Sequence, residues 1–291
     1  MLLDLKIGGF RVKDPKKPGK IRGVIGVALI IALVLTVFLI LQSDSENTLA
    51  KPVKSNSSAS PEPIEGWDLV FVDNFERTEL GPDWGAYSGS PGGDEYSHWD
   101  PAHVVLQDGK LVLKGYQEGD QWVTGGVSNW PQTYTYGRWE VRFRADASDE
   151  ITYHFLLWPQ REAWPPEIDF MENFGGDRQS GEAFVHYLDA SDKAAKTQVS
   201  LKEVDFTTWH TVGVEWEPGV VKFLLDGEEW DRIEEKNGVV IPTEPMWLGL
   251  QAQSGGCQRK ADYGFADCPV VGTPEVADVE IDWVAIYQKV S

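Results

Sequence analysis

A chain of 291 residues with 46 acidic against 26 basic side chains has a net charge of −20, a surface that repels nucleic acid and other polyanions and points to a neutral partner. The length admits one large β-domain or two small ones. Thirteen tryptophans serve two uses that composition does not separate: filling a sandwich core and stacking on sugar faces.

The N-terminal 22 residues are basic, with Lys6, Arg11, Lys13, Lys16, Lys17, Lys20 and Arg22 against Asp4 and Asp14. Residues 23–42 carry no charge and are almost wholly aliphatic. Such a run matches the ~20 residues that cross a ~30 Å hydrocarbon core. The basic flank predicts a single transmembrane signal-anchor in the cell membrane, with the N-terminus cytoplasmic and the rest outside. A cleaved signal peptide is the rival. Its apolar core is usually ~7–15 residues, shorter than this one, and Ser43-Asp44-Ser45 is a weak cleavage site. Residues 43–66, rich in Ser, Pro, Ala and Lys, read as a flexible tether.

From Trp67 to residue 289 short apolar strands alternate with turns. Strands are expected at Leu69–Phe75, Val104–Leu106, Leu111–Lys114, Arg138–Arg144 and Tyr153–Trp158, then at Glu167, Ala183–Leu188, Thr211–Trp216, Val220–Leu225, Met246–Gln253 and Val279–Gln288. Asp108-Gly109 and Asp226-Gly227 are hairpin turn signals. Many short strands with few helical patterns predict an all-β sandwich in one domain. The two cysteines, Cys257 and Cys268, lie in a Gly-rich loop, 255–273. Outside a membrane they are expected to form a disulfide.

The chemistry concentrates in Glu167-Ile168-Asp169-Phe170-Met171-Glu172. In a strand, Glu167 and Asp169 share one face while Ile168 and Phe170 point into a core. A regular strand would put Glu172 on the apolar face, at a cost of several kcal/mol. One bulge residue returns it to the face of the other two, and bulges are frequent beside active sites. Two carboxyl groups about 5–5.5 Å apart suit a retaining glycosidase, one as nucleophile and one as general acid.

At these residues the chain resembles glycoside hydrolase family 16, in the bulged E-x-D-x-x-E form of its laminarinase-like β-glucanase branch. Tyr136-Gly137-Arg138-Trp139-Glu140, Trp209-His210-Thr211 through Glu215-Trp216, and Glu280-Ile281-Asp282-Trp283 resemble further strands of that family. The resemblance implies a concanavalin-like jelly roll with a concave sugar cleft. It makes Glu167 the nucleophile, Asp169 its helper and Glu172 the acid/base. It also suggests Trp164, Trp158, His186, Gln251, Asn129 and Trp130 as substrate-binding residues, with Trp158 equally at home in the core. Catalysis needs no cofactor in this family. A structural calcium is implied at the Asp282 side chain and backbone oxygens near Asn74 and Gly109. The expected function is a monomeric, membrane-anchored, outward-facing endo-β-glucanase acting on a neutral polysaccharide with β-1,3 or mixed β-1,3/1,4 linkages. A transglycosylase would use the same three carboxylates. A non-catalytic glycan-binding module is marked by loss of one, and here all are present.

Overall fold

The computed structural model describes residues 60–91, 94–264 and 268–290. The basic segment, the expected membrane span and most of the tether lie outside these residues. Among the described residues no helix is long and apolar enough to cross a membrane.

The strands, in chain order, are β1 (Trp67–Asp73), β2 (Gly85–Ala86), β3 (Val104–Gln107), β4 (Lys110–Glu118), β5 (Gln121–Val123), β6 (Gly126–Ser128), β7 (Gly137–Ala145), β8 (Thr152–Pro159), β9 (Glu167–Asn173), β10 (Ser180–Leu188), β11 (Ala194–Lys202), β12 (His210–Glu217), β13 (Val220–Leu225), β14 (Glu228–Glu234), β15 (Met246–Gln253) and β16 (Val276–Lys289). A short helix, α1 (Gly256–Asp262), separates the last two. The strands form two antiparallel sheets packed as the expected sandwich. One runs β14-β13-β12-β7-β16-β4-β3, with β1 beside β16 and β5 beside β4; the other runs β11-β10-β9-β8-β15-β6-β2.

Period-2 patterning sets the faces. In β7, Trp139, Val141 and Phe143 are fully buried in the core. Its alternate residues Arg138, Arg142 and Arg144 pair across the outer face with Glu140 and Glu215, Asp282 and Glu280 respectively. The seven-stranded sheet fills its side of the core with Tyr153, Phe155 and Leu157 of β8, Ile168 and Phe170 of β9, Val185 of β10, and Leu248 and Leu250 of β15. Both expected hairpins form. Asp108 and Gly109 have φ of 52° and 67°, and Asp226 and Gly227 have 49° and 86°. Positive φ at both central residues is what a two-residue type I′ turn requires.

Strands β2, β5, β6 and β11 and one helix were not expected from the sequence. The Gly-rich stretch after β15 is not wholly loop: it contains α1. And β11, which carries only Ala195, Val199 and Leu201 toward the core, forms the edge of the seven-stranded sheet. Its polar composition hides an edge strand because one whole face is solvent-exposed.

Candidate active site

Strands β8, β9, β10 and β15 turn their non-core faces into one cleft. The expected bulge is present in β9. Glu182 of β10 faces Glu172 and Phe184 faces Asp169, so two steps on β10 oppose three on β9. On β8, adjacent Phe155 and Leu156 face Met171 and Asp169, which leaves Phe170 as the extra residue. Phe170 and Met171 are both fully buried in the core, and Glu172 returns to the cleft face with Glu167 and Asp169. Room for the bulge comes from Gly181 on β10: a Cβ there would lie 2.4 Å from the Met171 sulfur.

The cleft has a volume of about 590 Å³ and holds the three carboxylates on its floor. The Trp164 indole Nε1 donates to Glu167 Oε2 at 2.8 Å. Asp169, only 2% exposed, hydrogen-bonds Glu167, and His186 Nε2 lies 3.1 Å from Asp169 Oδ2. The facing side-chain atoms of Glu167, Asp169 and His186 lie within 4.8 Å of one another, close enough for their charges to act on one another. Burial, then the neighbouring Asp169 charge, pushes Glu167 well above the usual carboxylate range. Burial, then the Glu172 charge, pushes Asp169 up as well. Burial lowers His186 and favours its neutral form. The pair therefore holds a proton more firmly than free carboxylates do. The hydrogen bond with Glu167 lowers Asp169 against that trend.

Glu172 has a different environment. His154 stands directly opposite it on β8, and His154 Nδ1 is 2.5 Å from Glu172 Oε1. On the far side of the ring, His154 Nε2 is 2.8 Å from the Thr152 hydroxyl, which is 3.3 Å from the Gln253 carbonyl oxygen.

Four of the expected sugar contacts line the cleft: Trp158, Trp164, His186 and Gln251. Trp164 is 48% exposed and tilts over the His186 ring at 5.6 Å, well placed for a sugar face. Trp158 lies on the cleft side of β8 and donates to Glu162 Oε2 at 3.2 Å, which resolves its cleft-or-core ambiguity toward the cleft. Asn129 is a correction. It is fully buried, its side-chain amide donates to the Asp83 carbonyl at 2.7 Å, and it offers a sugar nothing. Trp130 is exposed but stands beside Gly85 at the β2–β6 edge, outside the cleft.

Strand pairing brings the ends of β1 and β4 beside β16 around Asp282, the place suggested for calcium. Asp282 Oδ2 accepts from Arg142 Nε at 3.0 Å, and the buried Asn74 Oδ1 has no hydrogen-bond partner among the described residues.

Cys257 and Cys268 form the expected disulfide, with Cα atoms 5.4 Å apart. Its surroundings were not legible in the sequence. The segment around α1 brings Arg259 and Tyr263 into the cleft. Tyr263 packs on Phe174 at 4.9 Å and under the Lys196 ammonium at 4.6 Å. Arg259 binds Asp94 and donates to Ser97 Oγ at 2.8 Å, tying this segment to the loop after β2. The carboxylate of Asp149 accepts from the backbone N–H groups of Val270, Val271 and Gly272. His154 was also missed. Its signal is weak: it shares the β8 face of Leu156 and Trp158, two residues apart.

A jelly roll whose sheet face carries an aromatic-lined cleft, with two glutamates on either side of a buried aspartate, defines a class: the carbohydrate-cleaving β-sandwich. The family described as glycosyl hydrolases family 16 matches residues 93–285. The chain belongs to that family. It is similar to the endo-1,3-1,4-beta-glycanase ExsH of Rhizobium meliloti, 27% identical over 191 residues, covering 64% of this chain and 36% of the relative. It is also similar to the clotting factor G alpha subunit of Tachypleus tridentatus, 21% identical over 77% of this chain and 34% of that protein. The chain thus spans about a third of the length of these curated relatives. Among solved structures, the laminarinase catalytic domain of Thermotoga maritima shares the fold with a TM-score of 0.65 at 20% identity, over 78% of this chain and all of that one. The endo-beta-1,3-glucanase of Pyrococcus furiosus gives 0.65 at 22% identity, over 79% of this chain and 98% of that one.

Proposed function

We propose that the domain is a retaining, endo-acting β-glucanase that cleaves β-1,3 or mixed β-1,3/1,4 linkages in a neutral polysaccharide. The observation that carries this reading is the bulge in β9, which puts Glu167 and Glu172 in the cleft on either side of Asp169. Glu167 attacks the anomeric carbon while Glu172 protonates the departing glycosidic oxygen. The resulting ester removes the negative charge of Glu167. Glu172, now a carboxylate, takes a proton from water, which attacks from the face the leaving group left. Asp169 and Trp164 hold Glu167 by hydrogen bonds, and the Trp164 ring offers a stacking face beside it. The names of the rhizobial and thermophile relatives supply the glucan assignment. The open cleft, with tryptophans along its wall, suits binding in the middle of a chain. The charge-free segment 23–42, with its basic flank, supports display of the domain outside a membrane.

The test is incubation of the chain from about residue 60 onward with a panel of neutral polysaccharides. Rapid fall in viscosity with β-1,3-containing glucans, and β-configured reducing ends in the first products by NMR, are expected. First products in the α configuration, or no cleavage of any β-glucan, would overturn the reading.

A further inference from the structure

We infer that His154 is a positioning residue for Glu172, holding its carboxyl group through a three-member chain that works with the imidazole neutral or charged. The inference rests on the proposed acid/base role of Glu172, but its geometry stands by itself. His154 is 4% exposed, sits in register opposite Glu172, and places Nδ1 2.5 Å from Oε1. The Phe174 ring packs edge-on against the imidazole at 5.7 Å.

The far nitrogen makes the arrangement a chain. The Thr152 hydroxyl lies 2.8 Å from Nε2 and 3.3 Å from the Gln253 carbonyl oxygen. With a neutral ring, Nδ1–H donates to Glu172 and the hydroxyl donates to Nε2. With an imidazolium, Nε2–H donates to the hydroxyl, which turns its own proton to the carbonyl. Both states keep the two ring nitrogens hydrogen-bonded, which a buried imidazole needs. In both states one oxygen of Glu172 is occupied by an N–H, so the other is the one directed to the glycosidic oxygen.

Other charged groups face Glu172 from each neighbouring element. Asp169 and Glu167 act from β9, and Glu182 and His186 from β10. Tyr263 and Lys260 act from the α1 segment. Among the described residues, His154 hydrogen-bonds the Glu172 carboxyl group directly. A bond in this place fixes the orientation of the group that must meet the glycosidic oxygen, so its loss misaligns Glu172.

The test compares His154→Ala, His154→Asn and His154→Gln in the full chain. The asparagine amide reaches the place of Nδ1; the glutamine amide reaches that of Nε2. In chain labelled at the glutamate carboxyl carbons, the Glu172 resonance is assigned by its loss in Glu172→Gln and compared between variants by NMR. His154→Ala is expected to displace that resonance, His154→Asn to keep it near wild type, and His154→Gln to resemble alanine. On polysaccharide, alanine should lower kcat roughly ten- to hundredfold, the worth of one hydrogen bond to a charged group, with KM little changed. If the alanine variant does not fold, the asparagine–glutamine contrast decides. An unmoved Glu172 resonance in all folded variants overturns the inference. Wild-type chain that cleaves no glucan overturns the functional reading instead, and the resonance still answers for His154.

Discussion

Asp169 shows what the site costs the fold at the scale of one residue. Its carboxyl group is buried beside Glu167 and feels the charge of Glu172. Both Glu167 and Asp169 have their pKa raised on folding, so the folded state binds protons more tightly than the unfolded chain. Stability from this source is complete below the unfolded value near about 4 and is lost as pH rises through the folded values. Asp169→Asn removes one buried ionisable group and keeps a hydrogen-bonding side chain beside Glu167. It should raise the melting temperature at pH 7 by roughly 2–6 °C while lowering activity. The gain should shrink below about pH 4, where the wild-type group is protonated in both states. A gain unchanged between pH 3 and 7 in thermal melts would contradict this electrostatic account. The carboxylates themselves were legible because a lone acid among Ile168, Phe170 and Met171 demands an explanation. His154 was not, because its role depends on a partner 18 residues away that only strand register brings opposite.

The bulged β9 works as an element because its neighbours are shaped for it. Gly181 on β10 leaves space for Met171, and Gly181→Ala would drive a Cβ to 2.4 Å from the sulfur in a fully buried site. Overpacking of this kind costs about 1–3 kcal/mol. Chemical denaturation should show that loss, and kcat should fall with it, because Glu172 follows Met171 in the strand. Retention of both wild-type values would mean the bulge does not depend on this space. The end of β9 is anchored by Arg178, fully buried, whose guanidinium donates to the Asn173 side chain and to the carbonyls of Asp146 and Ile151. Burial lowers its pKa to about 10, and it remains charged at neutral pH. Arg178→Met should destabilise the domain by about 3 kcal/mol, read from the same denaturation curves, since those acceptors lose their partner. The longer strands and the hairpins followed from turn dipeptides and alternation. The short strands β2, β5 and β6 and the edge strand β11 did not, since two- or three-residue pairings and polar edges leave no periodic signal.

At the scale of the whole molecule, the sandwich supplies the floor of the cleft and the segment after β15 supplies part of its wall. The Cys257–Cys268 bridge holds α1, and with it Arg259 and Tyr263, against the Glu172 end. Closing a loop of this length contributes about 3 kcal/mol by chain entropy. Reduction should leave both sheets intact by circular dichroism and weaken binding of oligosaccharides that extend past Glu172. Loss of the sheet signal on reduction would show that the bridge supports the whole fold. The central claim is that Glu167 is the nucleophile and Glu172 the acid/base, and azide rescue of the two Gln variants on an activated aryl β-glycoside tests it most directly. Glu172→Gln still forms the glycosyl-enzyme, because the leaving group needs little protonation. Azide then attacks without a base and gives the β-glycosyl azide after a second inversion. Glu167→Gln has no nucleophile, so azide entering the vacated space gives the α-azide by a single inversion. Swapped stereochemistry would reverse the two roles, and wild-type polysaccharide cleavage by both variants would place the chemistry elsewhere.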